Sequence, residues 1–344
     1  MLAAKEMAGF GAGRTRAQSE RVSAHPGARM NAIVERERGL LELEGRIADL
    51  KAHAADQPVD LSNEIAALEV KYKEIQREMF GTLTPWQRVN MARHPKRPLG
   101  SAYLAALDQF DELHGDRHLG DDPAIVGGFA KLHGRRIVAI AQDKGVDTKE
   151  KVVRNFGMPR PEGYRKVQRL VRLAAHLGLP VVTFVDTSGA DPGIASEERA
   201  QSEAIAQSIA AFAEAEVPIV ATVIGEGGSG GALALALADH VIMLEHSVYS
   251  VASPEGCAAI LWGDAAKAEE AAARLRLTSE DLLGFEIVDQ IVPEPLGGAH
   301  RDPRGTIDLV LSAIDGALTR LTPVPPVELR ARRYDKFRRI GSPA

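Results

Sequence analysis

From about residue 40 to residue 79, apolar side chains recur at helical spacing. Leu40, Leu43, Ile47 and Leu50 repeat at 3,4,3; after a break at 55–60, Ile65, Leu68, Tyr72, Ile75 and Met79 repeat at 3,4,3,4. This predicts an antiparallel helical hairpin with a coiled-coil-like seam. Such a stripe can be buried within its own chain or against another subunit, and the pattern leaves both uses open. A proline-bounded connector follows at 92–98, and Ser101 is placed to cap a helix carrying Leu104, Leu107 and Phe110. Beyond it the pattern changes. Short apolar runs at 124–132, 136–142, 180–186, 217–224, 240–244, 248–252 and 287–292 read as strands, with a tight turn at His133-Gly134. Between them lie amphipathic helices at 164–177, stopped by Gly178, and at 196–215. A late helix presents Ile307, Val310, Ile314 and Leu318. The chain thus divides into a disordered segment or start-site extension at 1–30, a hairpin and connector at 31–98, an α/β body at 99–322 and a basic tail at 323–344.

Within the body one stretch stands apart. The run at 217–224 ends in glycines at 225, 227, 228, 230 and 231, and then resumes as the alanines and leucines of 232–238, the composition of a buried helix. Only Glu226 and Ser229 carry side chains in that turn, so bare backbone amides and the first free N–H groups of a helix face one point, an arrangement suited to an oxyanion. Right-handed crossovers bring the loop at 188–193 beside it, at the carboxyl ends of adjacent strands. Gly189 and Ala190 therefore join Gly227, Gly228 and Ser229 as candidate substrate-binding residues. The turn also matches a dinucleotide fingerprint, Gly225-x-Gly227-x-x-Gly230, with Glu245 about twenty residues on as a ribose-binding acid, so an NAD-dependent oxidoreductase is an alternative. Against it, the segment before the next strand is short, and the motif sits late in the chain. No Gly-Lys-Ser/Thr follows, which excludes a P-loop. Ser229 does not occupy the serine position of a G-x-S-x-G elbow.

Composition narrows the classes further. With 45% apolar and 26% charged residues and a net charge of −5, the chain has no overall pull toward nucleic acid or anionic membrane. No apolar stretch is long enough to span a bilayer. A single cysteine, Cys257, rules out internal disulfides and a cysteine-based zinc site, and a cytoplasmic setting fits. Cys257 reads as packing at a helix start, His133 as surface, and His300 as surface or site rim. Residues 1–30 lack the apolar core of a secretory signal, and Met30 offers an alternative start. The tail at 330–339 sets six basic residues around Tyr334 and Phe337, and a docked helix is preferred to an RNA-binding arm.

Four further stretches, RNFGMPRPEGYRK (154–166), EERAQSEAIA (197–206), YSVASPEGCAAILW (249–262) and PEPLGGAHRDP (293–303), accompany GEGGSGGALALALAD (225–239). Together they resemble the alpha subunit of the bacterial acetyl-CoA carboxylase carboxyltransferase from about residue 31 to the tail. The resemblance implies a crotonase/ClpP-like superhelix of ββα units. It further implies transfer of a carboxyl group from carboxybiotin, borne by the biotin carboxyl carrier protein, to acetyl-CoA, giving malonyl-CoA. In the family's pattern the backbone amides of Gly230 and Gly231 receive the biotin ureido oxygen, while Gly227 and Gly228 shape the turn. A carboxyltransferase beta subunit supplies the second oxyanion hole and a four-cysteine zinc ribbon in an α2β2 assembly, and biotin carboxylase completes the complex, so no metal is expected on this chain. Lys149, Lys151, Arg154 and Arg165 become candidates for CoA phosphates or acids of the beta subunit. The chain departs from the family's pattern at Ser188, Asp191 and Ala200, the last of which replaces a glycine.

Overall fold

A computed structural model describes residues 32–56 and 61–341. The extension at 1–30 and residues 57–60 of the expected break lie outside the described residues.

Helices α1 (Ala32–Asp56) and α2 (Ser62–Phe80) run antiparallel, as the Lys51–Glu69 ion pair and the shared grip of Arg301 on Glu44 and Tyr72 require. Their stripe is used within the chain. Ile33, Leu40 and Phe80 bury against Met91 of α3 (Pro85–Ala92), with Tyr72, Ile75 and Met79 beside them. Helix α3 starts on a capping box between Thr84 and Gln87 with Pro85 in its first turn. Helix α4 (Gly100–Ala105) differs from the expectation: Ser101 lies inside it, and the Ser101 amide is satisfied by the Asp143 carboxylate at 2.7 Å. The helix ends before Phe110, which belongs to β1 (Gln109–Glu112), a short, mostly exposed strand with no apolar run to announce it.

Strands β1, β2 (Ile125–Leu132) and β3 (Arg135–Gln142) form an antiparallel meander. The charged segment after β3 folds as α5 (Thr148–Val153) and a 3₁₀ turn, and leads into α6 (Pro161–Leu177), closed by Gly178 in the left-handed region. Next come β4 (Val181–Thr187), α7 (Ile194–Glu197), α8 (Gln201–Glu214), β5 (Ile219–Gly228), α9 (Ser229–Ala236), β6 (His240–Leu244), β7 (Val248–Ser250), α10 (Pro254–Trp262), α11 (Ala268–Leu275), α12 (Ser279–Gly284), β8 (Gln290–Val292), α13 (Pro303–Leu321) and α14 (Pro326–Arg339). The helix expected at 196–215 is broken between α7 and α8 because Ala200 adopts φ 64° and ψ 57°.

The sheet order is β1-β2-β3-β4-β5-β6-β8, parallel from β3 onward, with β7 paired to the far end of β5. Both faces are covered, and for that reason the strands read as unbroken apolar runs. Val181 and Val185 face Leu170 of α6, Phe212 of α8 and Leu235 of α9, whereas Val182 and Phe184 face Tyr103 of α4 and Val310 of α13.

The basic tail docks on the body. Arg333 of α14, 1% exposed, donates to the carbonyls of Phe212, Ala215 and Val217 and forms a two-pronged pair with Asp239 at 2.9 and 2.8 Å.

Candidate active site

The glycine turn is built by a strand that outruns its neighbour. β5 was expected to end at 224 but continues to Gly228, exchanging β6 for β7 as partner: Glu226, Gly227 and Gly228 pair with Val248, Tyr249 and Ser250. On its other side β4 slips register between Val185 and Thr187. Helix α9 starts at once, through Ser229 at φ 55°, an exposed residue in the left-handed region.

Most of the glycines are explained by what a Cβ would strike. At Gly225 it would meet the Asp186 carboxylate at 2.4 Å, at Gly227 the Tyr249 ring at 2.7 Å, and at Gly228 the Ser188 carbonyl at 2.2 Å. At Gly231 it would meet the Ala190 nitrogen at 2.6 Å and the Gly189 carbonyl carbon at 2.7 Å. Gly230 is different, since the nearest atom to its Cβ would be Ile205 Cγ2 at an ordinary 3.6 Å. The structure therefore brings Gly189, Ala190 and Gly227 to Gly231 together at the ends of β4 and β5. The first-turn amides of α9 have no intrahelical acceptor.

Beneath the turn lies a buried charge cluster that the sequence did not disclose. Glu226 accepts from Arg93 Nε at 2.6 Å and from Lys144 Nζ at 2.7 Å; Lys144 also pairs with Asp186 at 2.7 Å. Asp186 in turn accepts the Glu226 amide at 2.9 Å, and Arg93 reaches Glu255 at the start of α10. Burial alone would raise the Glu226 pKa, but the charges of Lys144 and Arg93 outweigh it and hold the carboxylate near 2. The only acidic residue of the turn is thus an anchor. Gln142, at the end of β3 and fully buried, accepts the Asp186 amide at 3.1 Å and donates to the Gly231 carbonyl at 2.9 Å. A polar residue closing an otherwise apolar strand was the one available signal for it.

The loop at 188–193 is pinned from both sides. Gln201 donates to the Pro159 and Asp191 carbonyls at 2.9 and 3.0 Å, and Asp191 accepts from Ser196 Oγ at 2.6 Å with Arg160 at 3.9 Å. The basic candidates are spread out. Lys149 is exposed on α5, whereas Arg154 is committed to the Pro123 carbonyl at 2.7 Å and to Asp143 at 3.4 Å. Arg165 lies among Asp116, Glu162 and the Arg199 carbonyl. Cys257 is half-buried on α10.

Two expectations are corrected. Glu245 accepts the Glu294 amide at 3.0 Å beside β8, and the strand runs on through Gly227 and Gly228 instead of yielding to a helix after the first glycine, so the dinucleotide fingerprint is not realised. His300 is neither surface nor rim. It is stacked on His94 with centroids 3.6 Å apart and rings 18° from parallel, and each Nε2 bonds a different oxygen of Glu37, at 2.9 and 3.1 Å. Ligand atoms of Glu37, His94 and His300 lie within 4.8 Å of one another, a spacing a cation could bridge. The Lys96 amide, 3.2 Å from His94 Nδ1, places the His94 proton on Nε2, facing Glu37. The group is a carboxylate clamp holding α1 to the body.

The mixed sheet, parallel from β3 onward and covered by helices on both faces, with a glycine turn at the ends of β4 and β5, is a crotonase-like α/β fold. Among the solved structures that share the fold are the transcarboxylase 12S crystal structure (TM-score 0.52, 21% identity, covering 64% of this chain and 41% of that one) and a Pseudomonas malonate decarboxylase hetero-tetramer (0.51, 18%, 64% and 90%). The family model for acetyl co-enzyme A carboxylase carboxyltransferase-like proteins matches residues 33–341. Proteins called acetyl-coenzyme A carboxylase carboxyl transferase subunit alpha are 50% identical over 313 residues in Erythrobacter litoralis, covering 91% of this chain and all of that one, and 51% identical over 306 residues in Paraburkholderia phymatum, covering 89% and 95%. The chain belongs to this carboxyltransferase alpha-subunit family.

Proposed function

We propose that this carboxyltransferase alpha subunit receives the ureido oxygen of carboxybiotin on the amides of Gly230 and Gly231, while the carboxyl group passes to the methyl carbon of acetyl-CoA. The carrier-borne biotin supplies the carboxyl group. As the N–CO₂ bond breaks, negative charge grows on the ureido oxygen; the ureido anion so released takes a proton from the methyl carbon, charge grows on the thioester oxygen, and the enolate carbon bonds the released carboxyl carbon to give malonyl-CoA. Each oxygen calls for fixed N–H donors, and removing one such donor typically costs about 10²–10³ in rate. Among the described residues, one glycine turn of that kind joins a strand end to a helix start, at 225–231. The second hole is assigned to a beta subunit that also carries the zinc, in an α2β2 assembly served by the biotin carboxyl carrier protein and biotin carboxylase in the cytoplasm.

The observation that carries the reading is the junction of Gly231 with Gly189 and Ala190, where two loops meet with no room for a side chain and the start of α9 stays accessible at Ser229 and Gly230. A partner is supported by exposed apolar residues around that opening: Val146 and Val152 near α5, Ile194 after the 188–193 loop, and Val251 and Ile260 beyond β7, each at least 60% exposed. The purified chain should form no malonyl-CoA from carboxybiotin and acetyl-CoA, and should do so once the beta subunit is added. Full activity of the isolated chain would overturn the assignment of the second hole.

A further inference from the structure

We infer that Gln142 is a positioning residue for carboxyl transfer, its side chain fixing the first turn of α9 against the end of β4. The inference rests on the reading of Gly230 and Gly231 as oxyanion donors. Three elements meet at this amide. Gln142 closes β3; its Oε1 takes the backbone N–H of Asp186 on β4 at 3.1 Å, and its Nε2 donates to the Gly231 carbonyl on α9 at 2.9 Å. The Gly231 carbonyl belongs to the peptide next to the one whose N–H is the proposed donor, so a shift in one rotates the other. The Asp186 amide leads directly into Thr187 and the loop holding Gly189 and Ala190, the atoms that Gly231 abuts. Both halves of the site are thus referred to a single fully buried side chain.

The requirement is chemical as well as steric. The position needs an acceptor toward Asp186 and a donor toward Gly231, which a carboxamide provides and neither a thioether nor a carboxylate does. Asp143 and Lys144 follow it along the chain, and Asp186 on β4 supplies the amide it accepts; Lys144 pairs with Asp186 and Glu226, Arg154 with Asp143, and the Tyr164 hydroxyl lies on the Gly231 side, 3.0 Å from where a Cβ there would stand. A carboxyl as fully buried as the Gln142 side chain holds its proton more tightly than an exposed one. When protonated it donates to Gly231 again; when ionised it repels that carbonyl.

The test uses the complex with the beta subunit and compares Gln142→Met, Gln142→Glu and Gly230→Ala, with kcat and KM measured from pH 6 to pH 8. Misplacement of reacting groups on the ångström scale costs about 10²-fold. Gln142→Met should therefore lower kcat by about 10- to 100-fold at all pH values, with KM for acetyl-CoA little changed. Relative to the unsubstituted complex, Gln142→Glu should be as slow at pH 8 and recover as the pH falls toward 6, a signature that loss of packing alone would not give. If Gly230→Ala is slow but both Gln142 variants assemble and turn over normally, the positioning role is wrong and the donor assignment stands. If Gly230→Ala is fully active, the donor assignment fails and this inference with it. A Gln142→Glu complex equally slow at pH 6 and pH 8 would also overturn it, and that variant decides the matter should Gln142→Met fail to fold.

Discussion

Gly231 and Ala190 touch backbone to backbone: a Cβ on Gly231 would stand 2.6 Å from the Ala190 nitrogen, closer than real Cβ contacts come. Two loops from different strands are thereby locked at one point. Gly231→Ala should push the 189–190 loop aside, lower stability by about 1–3 kcal/mol as overpacking does, and abolish most of the transfer activity. Urea unfolding beside turnover checks this; a variant with unchanged stability and rate would show that the loops do not meet there.

Ala200 holds a left-handed conformation at the N-terminus of α8, φ 64° and ψ 57°. An alanine there carries about 1–2 kcal/mol of steric cost, part of which glycine returns through a more disordered unfolded chain. Ala200→Gly should stabilise the chain by about 0.5–1 kcal/mol, read as a higher urea midpoint at unchanged slope. A lower midpoint would contradict the conformation.

Arg333 is the buried pin of the C-terminal helix, and its loss leaves Asp239 without its cationic partner. Removing one member of a buried pair typically costs about 3–5 kcal/mol. Arg333→Met should lower stability by that order, and Arg333→Met with Asp239→Asn should recover part of it. Equal losses in the single and double variants would mean that the carbonyl bonds dominate the pair.

The clamp at the base of the hairpin makes stability depend on pH. Burial would raise the Glu37 pKa, but the hydrogen bonds from His300 and His94, with their charge, bring it to about 2. Burial holds His94 below its ordinary value of 6.5 despite its bond to Glu37. In both cases the unfolded chain takes up the proton first on acidification, so stability is lost as pH falls: through His94 below about 6.5, and through Glu37 from about 4.5 toward 2. Urea stability measured from pH 7 to pH 3 should decline, and Glu37→Gln should flatten the lower part of the slope, with Glu226 keeping its own share. A slope unaltered by that variant would remove Glu37 from the account.

The body was legible in the sequence because strands covered on both faces leave unbroken apolar runs, as at Val181 to Val185, and because glycines crowded by Asp186, Tyr249, Ser188 and Ala190 cannot be anything else. Three kinds of feature were not legible. β1 is mostly exposed, so no apolar pattern marks it. The break at Ala200 hides behind a good helix former. The charge cluster of Arg93, Lys144, Asp186 and Glu226 joins residues up to 133 positions apart, and each reads locally as a surface charge. His300 was misjudged for the same reason, since its partners Glu37 and His94 lie far off in sequence.

The most direct measurement is turnover of the complex carrying Gly230→Ala. A methyl at Gly230 would meet Ile205 Cγ2 at 3.6 Å, ordinary contact, so folding and assembly should be preserved. A ligand oxygen about 3 Å from the Gly230 nitrogen would be crowded by it all the same. The account predicts a thermal midpoint and beta-subunit affinity close to those of the unsubstituted complex, an unchanged KM for acetyl-CoA, and kcat lower by about one to three decades. An undiminished kcat in a folded, assembled complex would contradict it.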